Sequence, residues 1–204
     1  MSDVYPYTFS GSMARRLGDE EVKECLSRLP DLDLDHVDLE SVVQALQEEG
    51  LDIGGAGTVD EDDMRHLLAH DYAMVGSDGV IATDDYGEMG NHPRSFGTFA
   101  RVVGHYVRDC RLFTLERAVQ KMTTIPAERL LMKERGALKT GWWADIVVFD
   151  EAAVGDNSTL QNPAATASGI LRVYVNGSEV VRDGSALCEQ GPGKVLRYRG
   201  GGVS

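Results

Sequence analysis

Hydrophobic positions recur along this chain in two rhythms, and the change between them falls near residue 140. Before it the helical period dominates. Leu39, Val42, Val43 and Leu46 share one face of a helix expected over 37–48, with Gly50 as its stop, and a further helix is expected over 19–29. Thr58, followed three residues later by Glu61, reads as a capping box opening a helix to about His70. The strongest stripe lies in SFGTFARVVGHYVRD, where Phe96, Phe99, Val103 and Val107 recur at helical spacing and Val102 and Tyr106 widen the face. Thr114 caps LERAVQKMT, and Thr123, Thr124 and Pro126 start another short helix.

Short runs of β-formers sit between these helices. DVYPYT (3–8) reads as a strand with Pro6 at its end or at a bulge, because proline donates nothing to a ladder. YAMVGSDG is an apolar run ending in a polar tip, as in a buried parallel strand that delivers side chains to a site. Helix, strand and polar tip in succession is the rhythm of β/α architecture. After residue 140 the texture is strand-like. A strand is expected over 144–149, a hairpin around Asn176-Gly177, and one more strand in GPGKVLRYRGGGVS. The expected organisation is α/β, with helix-rich β/α structure over 1–140 and short β-strands over 141–204.

Composition narrows the functional classes. Of 204 residues, 33 are Asp or Glu and 20 are Lys or Arg, a net charge of -13 that would repel a nucleic-acid partner. Only five of the basic residues are lysine, a balance that suits a high-salt cytoplasm and is also favoured by a GC-rich genome. No apolar run approaches the roughly eighteen residues of a membrane span, and MSDVYPYTFSGS lacks the features of a signal peptide. A cytoplasmic protein is expected. Three scattered cysteines without a CxxC argue against a disulfide framework or a zinc knuckle, and Cys25 reads as structural. The acidic run PDLDLDHVDLE lacks the glycine and the final glutamate of a calcium loop.

Asp78 is the leading candidate for chemistry. It stands at the C-terminal tip of a strand, where β/α barrels build their active sites, although an Asp capping the next turn would fit the flanking glycines equally. Arg94, in His92-Pro93-Arg94 after a glycine-rich loop, is placed to clamp a carboxylate. Tyr5, Tyr7, Ser10 and Ser12 cluster after the first strand and offer contacts to a polar substrate, or, for the tyrosines, packing. His66 and His70 have the i, i+4 spacing of metal ligands but no third partner, and a solvated helix face is the plainer reading. Trp142 and Trp143 read as packing residues at the domain junction.

In order, the segments YPYT, MVGSDG, NHPRSFGTFARVVGHYVRD, LERAVQKMTTIPAERL, RGALKTGWWADIVVFD and VYVNGSEVVRDG closely resemble the C-terminal part of the N-acyl-D-amino-acid deacylases (D-aminoacylases) of the amidohydrolase superfamily. The resemblance implies the C-terminal part of a TIM-like (β/α)8 barrel, followed by strands of a composite β-sandwich. It implies a zinc-dependent hydrolase of N-acyl-D-amino acids. In that family the Asp of GSDG acts as general acid/base on a zinc-bound water, which gives Asp78 both a catalytic and a metal-facing role. The YPYT region helps hold the substrate carboxylate, which points to Tyr5 and Ser12, beside the clamp read for Arg94. The family's main metal ligands include a His-x-His pair that this chain does not contain. A separate N-terminal chain supplying them, or a second copy covering an open barrel edge, is therefore expected as partner. The alternatives are an inactive remnant or interaction module that binds no metal, and a small enzyme using His66, His70, His92 and Asp78.

Overall fold

The computed structural model describes residues 2–13, 38, 40–44, 52–56, 59–79, 92–159, 162–188 and 191–197. The expected helix over 19–29, Cys25, and most of the acidic and glycine-rich loops lie outside them. Of the helix expected over 37–48, residues 40–44 are helical, with the Asp38 carboxylate accepting from the Ser41 hydroxyl at 2.6 Å.

β1 (Ser2–Val4) lies parallel to β4 (Ala73–Val75), with Asp3 opposite Met74. Pro6 falls just beyond β1, where its missing N–H disturbs no ladder. β2 (Phe9–Met13) turns back antiparallel to β3 (Asp52–Ala56). Among the described residues, parallel pairing is confined to β1 and β4.

α1 (Glu61–Ala69) leads into β4, and its N-cap corrects the sequence reading. The capping side chain is Asp60, not Thr58, which lies outside the described residues. The Asp60 carboxylate accepts from the backbone N–H groups of Asp62 and Asp63 at 2.9 and 3.0 Å. A charged acceptor directly before the first turn meets both the orphan donors and the positive end of the helix dipole. Met64 and Leu68, one turn apart, bury the inner face of α1.

α2 (Arg94–Arg101) passes without a break into a π-helix (Val102–Asp109). Here the expected stripe is corrected. Val102, Val103, Tyr106 and Val107 are buried, but Phe96 and Phe99 are 41% and 49% exposed. The wider winding of the π-helix, in which Cys110 N–H reaches the His105 carbonyl at 2.8 Å, breaks a face extrapolated at 3.6 residues per turn. In α2 the face turned inward is the small one, made of Gly97, Thr98 and Ala100.

α3 (Leu115–Met122) is capped by Thr114, whose hydroxyl accepts from Arg117 N–H at 3.3 Å, and α4 (Thr124–Arg129) comes directly after it. Met64, Leu68, Val75, Val102, Tyr106, Val107 and Ala118 form one core cluster, joining α1, β4, the π-helix and α3. A second cluster of Ala100, Val103 and Val154, with Phe149 and Ile170 against it, joins the helices to the C-terminal sheet.

The C-terminal sheet has four antiparallel strands in the order β5 (Ile146–Phe149), β6 (Ile170–Val175), β7 (Ser178–Arg182) and β8 (Ser185–Ala186). Asn176 and Gly177 both have positive φ (49° and 83°), the two-residue type I′ turn that their sequence predicts. Residues 191–197 carry no strand, and the rest of the segment in which one was expected lies outside the described residues. The additional strand is β8, reached through a second tight turn at Asp183-Gly184 (φ 48° and 77°). Trp143 is 39% exposed rather than packed inside, with the Arg135 and Lys194 cations 5.0 and 4.0 Å from the centre of its ring.

Candidate active site

The parallel strand β4 ends in Gly76-Ser77-Asp78-Gly79. Gly76 N–H still donates to the Val4 carbonyl at 3.2 Å, so β1 holds this tip in line. The turn is stabilised by Ser77, whose Oγ accepts from Gly79 N–H at 3.2 Å, and not by Asp78. Asp78 adopts a left-handed φ of 45°, and its carboxylate goes to Arg94: Nη2 to Oδ2 is 3.0 Å, and Arg94 Nε donates to the Asp78 carbonyl at 2.9 Å. The arginine is the sheltered partner, 11% exposed against 63% for the aspartate. Burying the guanidinium and leaving the acid at the rim suits an acid that meets a ligand from outside.

Arg94 opens α2, and two contacts orient it. Its backbone N–H donates to His92 Nδ1 at 3.1 Å, and its guanidinium lies 4.9 Å from the centre of the Tyr5 ring. His92 is buried, with the Tyr5 and Tyr7 rings edge-on at 6.4 and 5.8 Å. Two tripeptides, Tyr5-Pro6-Tyr7 and His92-Pro93-Arg94, thus interlock behind the tip of β4. Of the residues selected from sequence, Tyr5, Arg94 and Asp78 come together here. Ser12 stands in β2 opposite Ile53, with its side chain outside the described residues. His66 and His70 lie exposed on and after α1, and His70 stacks on Tyr72 with ring centres 4.0 Å apart.

Below the tyrosines lies a network that sequence reasoning missed. The Tyr7 hydroxyl donates to Asp156 Oδ2 at 2.7 Å. Arg101 Nε donates to the Pro6 carbonyl at 2.7 Å, and its Nη1 stands 3.9 Å from Asp156 Oδ2. The same guanidinium lies 5.0 and 5.8 Å from the ring centres of Tyr7 and Tyr106. Burial, reinforced by the neighbouring Asp156 carboxylate, pushes the Tyr7 hydroxyl well above the usual tyrosine range. Burial pushes Tyr106 up to about 12, with Arg101 opposing. Asp156 sits in a polar loop, and nothing in its local pattern marks it.

No group of three or more His, Cys, Asp or Glu side chains able to hold a metal ion forms among the described residues, and Asp78 is committed to Arg94. The described residues therefore do not fit a metal centre by themselves. Nor is any helix among them long and apolar enough to cross a membrane.

Residues 64–181 match the model of the amidohydrolase family. The chain is 39% identical over 207 residues to a D-aminoacylase of Alcaligenes xylosoxydans xylosoxydans, covering 95% of this chain and 41% of that one. A crystal structure of D-aminoacylase superposes with a TM-score of 0.71 at 36% identity, covering 90% of this chain and 40% of the other. The N-acyl-D-glutamate deacylase of Bordetella bronchiseptica, solved with zinc and a phosphonate mimic of the tetrahedral intermediate, superposes with a TM-score of 0.70 at 33% identity and similar coverage. The chain spans about two fifths of the length of these relatives. With more than half of its residues matched by the family model, the chain belongs to the amidohydrolase family.

Proposed function

We propose that this chain forms the C-terminal portion of a zinc-dependent N-acyl-D-amino-acid deacylase, contributing Asp78 as the proton-transfer group and Arg94, Tyr5 and Ser12 as the wall that holds the substrate carboxylate. The observation that carries this reading is the Asp78–Arg94–Tyr5 constellation at the C-terminal end of a parallel strand, the end at which (β/α)8 enzymes place their catalytic groups. In this reading residues 1–140 complete a TIM-like barrel and residues 141–204 belong to a composite β-sandwich. Arg94 binds the substrate carboxylate through the donors it does not spend on Asp78, and Tyr5 forms the floor beneath its guanidinium. Asp78 takes a proton from the attacking water as the new C–O bond forms and passes it to the leaving nitrogen as the amide C–N bond breaks. Water supplies the hydroxyl of the new carboxylic acid, and the D-amino acid leaves.

The metal expected from the relatives finds no donor set among the described residues, so its ligands are assigned to a portion of the enzyme that this chain does not span. A separate N-terminal chain is the proposed partner. The competing reading, an inactive interaction module that binds no metal, rests on that same missing donor set.

The discriminating experiment combines this chain with the N-terminal portion of the D-aminoacylase relative and follows hydrolysis of an N-acetyl-D-amino acid. Each part alone should be inactive and the mixture active, with Asp78→Asn lowering kcat by about 10²–10⁴-fold. An inactive mixture favours the interaction module. A lone chain that holds stoichiometric zinc and turns over substrate refutes the divided site.

A further inference from the structure

We infer that Asp156, from the loop after β5, is the positioning residue for the Tyr5-Pro6-Tyr7 segment, so that the polypeptide beyond the helices contributes, through Tyr7, to the geometry of the carboxylate wall. The inference rests on the role proposed for Tyr5 and Arg94.

All three residues of the tripeptide are held, with the Tyr7 hydroxyl also 3.4 Å from the Pro93 carbonyl. Tyr7 is held by its hydroxyl on Asp156 Oδ2, Pro6 by its carbonyl on Arg101, and Tyr5 by its ring against Arg94 and His92. Asp156 is the common anchor, because it takes the Tyr7 hydroxyl and also faces Arg101. Its side chain is 5% exposed, and its other oxygen accepts from Ser158 N–H at 2.8 Å, which fixes the carboxylate plane. An acid buried to this degree would be costly if its only task were to fill space. The helix beside it has been cut back to receive it. A Cβ on Gly97 would stand 1.9 Å from Asp156 Oδ1 and 2.4 Å from the Tyr7 hydroxyl oxygen.

Asp156 touches neither the proposed substrate nor Asp78. It acts through Tyr7, whose ring edge meets His92, and His92 in turn accepts from the backbone N–H of Arg94. The path from the loop to the Arg94 backbone is three contacts long, two hydrogen bonds and one edge-on ring contact.

The test is made on the full chain with isotopically labelled histidine rings. The chain has five histidines, and among the described ones His92 is the one whose ring lies between two tyrosines. Tyr7→Phe, which removes one oxygen, and Asp156→Ala should each displace the His92 ring signals while those of His66, His70 and His105 stay in place. Binding of N-acetyl-D-glutamate, followed in the same spectra, should weaken by about tenfold. The inference is overturned if the His92 signals are unmoved in both variants. It is equally overturned if all the histidines shift together, which would mean general loosening. Should the unmodified chain fail to bind N-acetyl-D-glutamate, the carboxylate-wall reading fails, and the His92 signals still decide the role of Asp156.

Discussion

Gly97 offers the most direct probe of single-residue packing. Gly97→Ala drives a methyl group into Asp156 and Tyr7, neither of which has room to retreat, because both are buried and hydrogen-bonded. The substitution should cost about 1–3 kcal/mol, read as a lower midpoint of urea unfolding. The two buried tyrosines supply a second prediction, in pH. Their hydroxyls keep their protons in the fold at pH values where a free tyrosine, at 10.0, has begun to lose its own. The stability they contribute is therefore complete below pH 10 and is lost as pH rises through the folded values, which lie at about 12 for Tyr106 and higher for Tyr7. Urea midpoints measured across that window should fall steadily, and Tyr106→Phe should fall less steeply. A wild-type midpoint that stays flat to pH 12 would refute this account.

At the scale of elements, the α1–β4 turn, closed by Ala73 N–H on the His70 carbonyl, is reinforced by one buried lysine. Lys121, on α3, is fully buried and donates to the carbonyls of both His70 and Ala73, the residues on either side of the turn. Burial lowers its pKa, the sign expected of a cation taken out of water. Lys121→Met removes that penalty but takes the ammonium donor from two carbonyls, leaving that of His70 with only its bond from Ala73 N–H. We expect a net loss of about 2–4 kcal/mol in thermal unfolding, with the signals of β4 most affected. An unchanged melting temperature would show the turn to be held by something else. Elements such as this divide by how far their causes reach along the chain. The Thr114 cap, the Asn176-Gly177 turn and the strand tip carrying Asp78 were legible because each is decided by neighbours within a few residues. The tilt of α2, which exposes Phe96 and Phe99, was not, because a change of winding at Val102 and a close approach at Gly97 set it. Asp156 and Arg101 were invisible for the same reason. Their partners, Tyr7 and Pro6, lie 149 and 95 positions away, and no local pattern encodes a contact of that span.

For the molecule as a whole, charge and topology matter more than any one contact. A net charge of -13 on 204 residues makes the folded state repel itself at low ionic strength. Raising salt from about 0.1 M to about 1 M shortens the screening length from about 10 Å to about 3 Å, so the unfolding temperature should climb with added KCl. A decline over that range would assign the dominant role to the ion pairs, such as Arg94–Asp78 and Arg117–Asp71, instead. Topology governs the order in which the parts can form. The β6–β7 hairpin and α3 close on their own neighbours, on the microsecond scale of local structure. β1 has no such neighbour. Its parallel partner begins about seventy positions later, at Ala73, and closing so long a loop is an entropic cost that must be met before any ladder bond forms. The anchor for Tyr7 comes later still, at Asp156. During synthesis the tyrosine segment therefore leaves the ribosome long before anything that can secure it. Arg94 and Arg101 reach it first, and the Tyr7 hydroxyl meets Asp156 only after 149 positions have been added, so the last of its anchors forms once the polypeptide beyond the helices has emerged.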